Sequence, residues 1–363
     1  MSKQLVLLGS GLGHVHLLAH LARQPSQSAI DGVKITLITR LPCHIDPRRT
    51  PGFVAGHVAL DACTIDLEPL VQKTKAQWLE LQAVQIDANA RALLLSDGQE
   101  IRYDWLSIDL EPVQNRELGE LSLPGAQANG LHLHPTDVFC KLWPRVPELA
   151  ASKALRVAVV GNNPGGGQEL AAIELSLAIC QALPGSAVTL ITGGAPLASA
   201  STASLRRVLA QTLRAKNVTV LLDAAVAIQP GQVILSSGAT LACDVPVIAT
   251  CAHPPGFAAS SGLALDARGF IALDGGLHST SHPNVLVMPQ GDDAHGLAQQ
   301  LAQAIAAAAG LPVASVSRRT QGLQMISCSD GYAIASWGGY SAHGRWVSWL
   351  KQGLDRTALI ASD

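Results

Sequence analysis

Short apolar runs, broken by glycine turns and followed by helical periodicities, set the pattern of the chain. Gln4-Leu5-Val6-Leu7-Leu8 reads as a buried strand, Gly9-Ser10-Gly11-Leu12-Gly13 as a tight turn, and Val15–Leu21 as an apolar helix. Val33–Ile38 reads as the next strand. Strand, helix and strand within about 30 residues make a βαβ unit, and such units build parallel sheets. Ala92–Leu95 and Trp105–Ile108 read as further strands, with Asp97-Gly98 as a turn between them. The pattern then restarts. Leu155–Val160 is a strand, Gly161 to Gly167 a glycine-rich turn, Glu169–Ala182 a helix and Ala187–Ile191 a strand. Ala203–Ala215 is helical in pattern, and Val218–Leu222 and Val233–Leu235 read as strands. Val245–Thr250 and Asn284–Met288 are two more short apolar strands. A helix follows from about His295 to Ala309, stopped by Gly310 with Pro312 beyond it.

Two βαβ units with glycine-rich first turns predict an α/β fold. It has two Rossmann-like dinucleotide-binding domains, the second inserted in the first, plus a C-terminal α/β tail. The first domain is expected over residues 1–125 and 245–310, the second over 126–244, and an interface segment over 311–363. A length of 363 residues suits two or three domains.

Composition narrows the function classes. The chain is 48% hydrophobic and 14% charged, too apolar for a disordered protein. A net charge of -2 argues against a nucleic-acid-binding face. No apolar run approaches the ~20 residues of a membrane-spanning helix. The first apolar run ends at Gly9 with no cleavage-type segment after it, so no secretory targeting is expected. The seven cysteines are scattered, which suits a reducing cytoplasm. None pairs as C-x-x-C or C-x-x-x-x-C, which removes a redox-active dithiol.

Gly9-x-Gly11-x-x-His14 follows a strand and opens a helix. The first glycine permits the turn, the second lets the backbone approach a pyrophosphate, and the helix end offers free N–H groups. His14 holds the third glycine position, with Gly13 beside it. Thr39-Arg40 stands where a ribose-binding carboxylate would end the second strand. In the second unit, Gly161-Asn162-Asn163-Pro164-Gly165-Gly166-Gly167-Gln168-Glu169 departs further, because the Asn163 side chain would crowd a phosphate. Arg206 and Arg207 suit either a 2′-phosphate or a solvated helix face. Gly291-Asp292 after a strand suits either a flavin ribityl contact or a helix cap. The pairs His16/His20, His14/His16 and His132/His134 have no third ligand at a supporting spacing, so no metal site is expected.

The tail gathers Tyr332, Trp337, Tyr340, Trp346 and Trp349. Trp346, Trp349, Leu350 and Leu354 recur at helical spacing, with Arg345, Lys351, Gln352, Asp355 and Arg356 on the other side. Such a helix suits a membrane surface, a homodimer partner or the protein's own core. The contact is expected through 337–356.

Several stretches together resemble one family. They are Leu5–Leu18, Pro51–Leu67, Asp97–Asp109, Gly256–Asp292 and Gly331–Arg356. The most specific are Pro51-Gly52-x-x-Ala55-Gly56-His57 and Ala335-Ser336-Trp337-Gly338-Gly339 with Gly344-Arg345-Trp346. The chain resembles the FAD/NAD(P)-dependent pyridine-nucleotide oxidoreductases of the type II NADH dehydrogenase kind. Within them it is similar to the flavoprotein domain found fused to selenide, water dikinase. The resemblance implies FAD on Gly9, Gly11, Gly13 and His14, with Gly291 and Asp292 at the ribityl chain. It implies NAD(P)H on Gly161, Gly166 and Glu169. It also implies hydride transfer from NAD(P)H through flavin to a quinone-like or other small-molecule acceptor, without a dithiol. The implied location is cytoplasmic, with a peripheral place on the inner face of the membrane if the tail binds lipid. Three cofactor-facing loops depart from the family pattern. Its Tyr-Ser-Gly-Met-like loop is here Asp46-Pro47-Arg48-Arg49. Its Asp-x-Gly-Ser is Asp109-Leu110-Glu111-Pro112, and its Lys-Ala-Gly segment is shortened to Asp293-Ala294-His295-Gly296. These losses define the rival expectation, a catalytically degenerate homologue acting as a binding or scaffolding subunit.

Overall fold

The computed structural model describes residues 2–23, 32–110, 122–161, 169–199, 201–250, 255–289, 294–311, 323–337 and 339–360. Two five-stranded parallel sheets organise them. The first has the order Val285–Val287, Trp105–Ile108, Lys3–Leu8, Val33–Ile38, Gln77–Leu79. Parallel strands covered on both faces need apolar side chains on both. Lys3–Leu8 meets that need by alternation. Leu5 and Leu7 enter a core with Leu17, Leu18, Leu301 and Ile305, from the helices Leu12–Ala22 and Ala294–Ala309. Val6 and Leu8 point the other way, toward Ile86, Leu93 and Leu95 of the antiparallel sheet Ala83–Asp87, Ala92–Leu95, Glu100–Arg102. Each fully buried leucine of this kind stabilises the fold by roughly 1.5–3 kcal/mol relative to exposure.

The second sheet repeats the plan in the order Leu131–His132, Val245–Ile248, Arg156–Val160, Ala187–Ile191, Val218–Leu221. Glu169–Ala182 and Ala203–Ala215 cover one face. The antiparallel sheet Ala225–Gln229, Gln232–Leu235, Thr240–Ala242 covers the other through Ile228, Val233 and Leu235. The fold is therefore α/β with two Rossmann-like lobes. Their order corrects the sequence reading at one point. Val245–Ile248, assigned there to the return into the first domain, pairs with Arg156–Val160 in the second sheet. The chain re-enters the first sheet only at Val285–Val287, beside Trp105–Ile108.

The tail forms an antiparallel sheet, Gln324–Ser327, Ala333–Trp337 and Tyr340–Gly344, followed by the helix Arg345–Ile360. Ile326 and Ile334 join the core of the second lobe. Val347 and Lys351, four residues apart, are buried among the described side chains of the helix, whereas Trp346 and Trp349 are 60% and 77% exposed. The aromatic stripe thus faces outward. Among the described residues, no helix is long and apolar enough to cross a membrane.

Several contacts join the segments that carry the lobes. Arg40 Nη2 pairs with Asp137 Oδ1 at 2.6 Å. Trp143 Nε1 donates to the Val54 carbonyl at 3.2 Å. His57 Nε2 lies 2.7 Å from the Ser329 carbonyl oxygen.

Candidate functional site

In open α/β sheets the ligand crevice lies beyond the carboxyl ends of the strands, where strand order reverses. Here that point is the ends of Lys3–Leu8 and Trp105–Ile108, where Gly9 and Asp109 meet. Gly9 sits at φ +101°, a conformation that L side chains rarely adopt. Gly11 is different. It caps the helix Leu12–Ala22 at φ -63°, ψ 168°, which any residue can adopt. Its requirement is space, because a Cβ there would overlap the Asp109 carboxylate. A Cβ at Gly13 would come within 2.8 Å of Leu301 Cδ2 and 2.9 Å of Asp109 Oδ2.

Asp109 is buried and turned into the turn. Its Oδ2 accepts from Gly13 N–H at 2.7 Å and His14 N–H at 3.3 Å, and its carbonyl accepts from Gly11 N–H at 3.0 Å. The helix end that a dinucleotide turn offers to phosphate oxygens is therefore occupied by a carboxylate of the chain itself.

His14, fully buried, points inward. Its Nδ1 lies 2.8 Å from the Gly9 carbonyl oxygen and its Nε2 2.7 Å from Ser107 Oγ. Burial pushes its pKa down, against the opposing charge of Asp109 and the bond to Gly9. A neutral ring beside a carbonyl, which only accepts, places the proton on Nδ1, leaving Nε2 to accept from Ser107. His14 thus bonds within the lobe.

The second side of the turn comes from the hairpin Cys43–Ile45 and Thr64–Asp66 and the loop after it. His44 is buried, and burial lowers its pKa against the charges of Asp46 and Asp109 and a bond to Ser10. Its Nε2 has no partner among the described residues. A buried acceptor left unpaired costs about 1–3 kcal/mol, and a ligand hydroxyl would satisfy it. Thr50 Oγ1, His134 Nδ1 and Thr136 Oγ1 are buried and unpartnered in the same way. Asp46 is fully buried and grips Arg48, which donates from Nε at 2.9 Å and from Nη2 at 2.6 Å. Burial would raise this carboxyl, but the Arg48 hydrogen bonds and charge hold it below the usual carboxylate range.

At the second turn, Gly161 packs where a Cβ would lie 3.1 Å from Ala172 Cβ. Glu169 opens its helix, and its carboxylate accepts from Ala198 N–H and, at 3.2 Å, from Ser199 N–H. Its role in this structure is to tie down the loop after Ala187–Ile191. Gly166, Gly291 and Asp292 lie outside the described residues, as do Glu111, Pro112 and Asp293. The structure thus gathers Gly9, Gly11, Gly13 and His14 in one place, with Gly161 and Glu169 at a second.

The sequence reading left His44 outside the site and named Asp46 and Asp109 only within cofactor-facing loops that depart from the family pattern, with no role for either side chain. Asp109 carries a usable signal, because it is the first residue beyond an apolar strand at the switch point. His44 and Asp46 carry only the alternation of a three-residue strand.

Tested against these residues, the turn has the glycine cradle of a dinucleotide site, and His44 Nε2 is a buried polar atom without a partner among the described residues. The seat of the diphosphate does not fit one while the Asp109 carboxylate fills it.

A model of the family described as pyridine nucleotide-disulphide oxidoreductase matches residues 3–309. A sulfide-quinone reductase from Aquifex aeolicus (strain VF5) is 27% identical over 112 residues, which span 31% of this chain and 25% of that relative. Among solved structures, the sulfide:quinone oxidoreductase of Aquifex aeolicus superposes with a TM-score of 0.79 at 18% identity, covering 98% of this chain and 90% of that one. A Plasmodium falciparum NDH2 solved in complex with NADH gives 0.77 at 12% identity, covering 99% and 95%. At these identities the structures show the fold.

Proposed function

The chain belongs to the pyridine nucleotide-disulphide oxidoreductase family, and from that premise we propose a flavoprotein that passes a hydride from NAD(P)H to a quinone-like or other small-molecule acceptor. The family is FAD- and NAD(P)H-dependent. The observation that carries the proposal is the doubled plan. Each lobe presents a parallel sheet in which a central strand, Lys3–Leu8 or Arg156–Val160, ends at a glycine, Gly9 or Gly161, shortly before a helix, Leu12–Ala22 or Glu169–Ala182. When bound, the flavin would supply the two-electron relay between donor and acceptor.

The chain's own residues do the holding. Gly9 would set the turn, and Gly11 and Gly13, lacking Cβ atoms, would allow close approach once the Asp109 carboxylate turned out of the seat. His44 offers a buried acceptor beside Ser10. Gly291 and Asp292 on the flavin side, and Gly161, Gly166 and Glu169 on the nicotinamide side, belong to the proposal on the sequence pattern. A dithiol takes no part in it. Cys63 is buried, with its thiol pushed up to about 11, chiefly by burial.

Within this proposal, residues 1–125 with the strand Val285–Val287 and the helix Ala294–Ala309 serve the flavin. The second sheet serves the nicotinamide. The outward Trp346 and Trp349, with the partly exposed Leu350, suit a membrane surface, where indole rings sit at the interface. This gives a peripheral protein on the cytoplasmic face. A homodimer contact through the same helix is the alternative.

One observation favours a second reading, a non-catalytic binding subunit. It is the Asp109 carboxylate standing in the diphosphate seat. The purified protein's visible spectrum, followed by NADH and NADPH oxidation with a soluble quinone, separates the two. Flavin absorbance and turnover support the oxidoreductase. A colourless protein that cannot be reconstituted with FAD overturns it.

A further inference from the structure

We infer that Asp109 is a resident anion that competes with the dinucleotide for the end of the helix Leu12–Ala22, and so sets how tightly this chain holds FAD. The inference rests on the flavin reading above and names a control on that same site.

The geometry supplies the argument. An empty dinucleotide turn leaves backbone N–H groups at the helix end open to phosphate oxygens. Here Gly13 and His14 already donate to Asp109 Oδ2, at 2.7 and 3.3 Å. The carboxylate also fills the space above Gly11 that the missing Cβ leaves. One anion therefore uses both assets of the turn, its donors and its clearance. A diphosphate arriving at this seat meets a like charge and finds two donors engaged.

The Asp109 backbone is not free to leave. Its N–H donates to the Leu8 carbonyl at 2.9 Å, and its carbonyl accepts from Gly11 at 3.0 Å. Only the side chain can move, by rotation about its own bonds. The titratable and charged groups around it are His14 and His44, with Asp46 and Arg48 behind His44. Among the described residues, no Lys or Arg forms an ion pair with Asp109. The carboxylate is held by backbone N–H groups, so nothing but those donors must be satisfied when it turns out. FAD supplies replacement oxygens for them. Binding is then an exchange of one anion for another, with the affinity reduced by whatever the internal carboxylate gains.

The test compares wild type, Asp109→Asn and Asp109→Ala. Asparagine keeps an acceptor oxygen and the size of the side chain but removes the charge. Alanine removes both. FAD affinity is read by calorimetry and by flavin fluorescence, with ADP as a second probe of the diphosphate seat. Thermal unfolding without ligand is the independent readout. The expected result is FAD binding at least ten-fold tighter for both variants, with ADP moving the same way. Unliganded Asp109→Ala should melt below wild type and regain more of that loss with FAD than wild type gains.

Equal or weaker FAD binding by a folded Asp109→Asn overturns the inference, because Asp109 is then an ordinary helix cap. Should Asp109→Ala fail to fold, Asp109→Asn decides alone. Tight FAD binding by all three proteins overturns this inference and leaves the flavin reading intact. Absence of FAD binding by all three overturns both.

Discussion

The glycine turn makes a quantitative claim that a double-mutant cycle can check. Gly11 has an ordinary extended conformation, so Gly11→Ala introduces no backbone strain. Its whole cost is steric, because the new methyl overlaps the Asp109 carboxylate. Overpacking of this kind costs about 1–3 kcal/mol. Displacing the carboxylate also removes its bonds to Gly13 and His14, a capping loss of about 0.5–2 kcal/mol. Gly11→Ala should therefore cost about 1.5–5 kcal/mol. Asp109→Ala removes the same cap but vacates the space. In that background Gly11→Ala meets no carboxylate, and its cost should fall to about 1 kcal/mol, the ordinary preference for Gly over Ala at an N-cap. Urea unfolding of the four proteins, followed by far-ultraviolet circular dichroism, gives the four stabilities from midpoint and slope. The coupling should exceed about 0.5 kcal/mol in favour of the double mutant. Costs that add within about 0.5 kcal/mol would show that the two residues do not share this space, and the description of the seat would be wrong.

Buried histidines make stability fall on mild acidification. Burial pushes His134 down to about 4, and His14 and His44 shift the same way. Above pH 6.5 the folded and unfolded chains are both neutral at His134. Between 6.5 and about 4 only the unfolded chain takes up the proton, so stability drops by about 1.4 kcal/mol per pH unit per such group. Urea midpoints at pH 7.5, 6.0 and 5.0 should decline for wild type and less steeply for His134→Gln; a flat wild-type profile would refute the burial argument. In the tail, Val347→Ala should cost about 1–3 kcal/mol because Val347 is fully buried. Replacing exposed Trp346 and Trp349 by Ser should change stability by less than about 0.5 kcal/mol each. The same double replacement should abolish pelleting with anionic lipid vesicles. If pelleting survives, the membrane assignment falls.

The strands were legible because each is an apolar run long enough to span a covered sheet. Lys3–Leu8, Val33–Ile38, Arg156–Val160 and Ala187–Ile191 all appear within a residue or so of the expected bounds. The helices Glu169–Ala182 and Ala203–Ala215 were legible from their 3.6-residue period. The return point was not. Val245–Ile248 and Val285–Val287 are equally apolar, and a local pattern does not say which sheet an apolar strand joins. In the tail, the Trp346–Trp349–Leu350 spacing picked out a real stripe. Among the described side chains the buried stripe runs instead through Val347 and Lys351, on the helix that packs against Ala333–Trp337 and Tyr340–Gly344. At the site, Gly9 and Gly11 were read from spacing. Asp109 was read as part of a cofactor-facing loop but not as a partner of Gly13 and His14, because those lie in a turn distant in sequence.

The late return of the chain bears on how the protein emerges from the ribosome. The strands of the second sheet are contiguous between Leu131 and Ile248, so that sheet can pair as soon as the stretch is made, although Ile326 and Ile334 join its core later. The first lobe, although synthesised earlier, waits for Val285–Val287 to pair with Trp105–Ile108 and for Ala294–Ala309 to cover Leu17 and Leu18. This inverts the usual N-terminal-first order of co-translational folding. A nascent chain halted before Val285 would carry a paired second sheet beside an open strand edge and a bare apolar face, the species on which a chaperone would act.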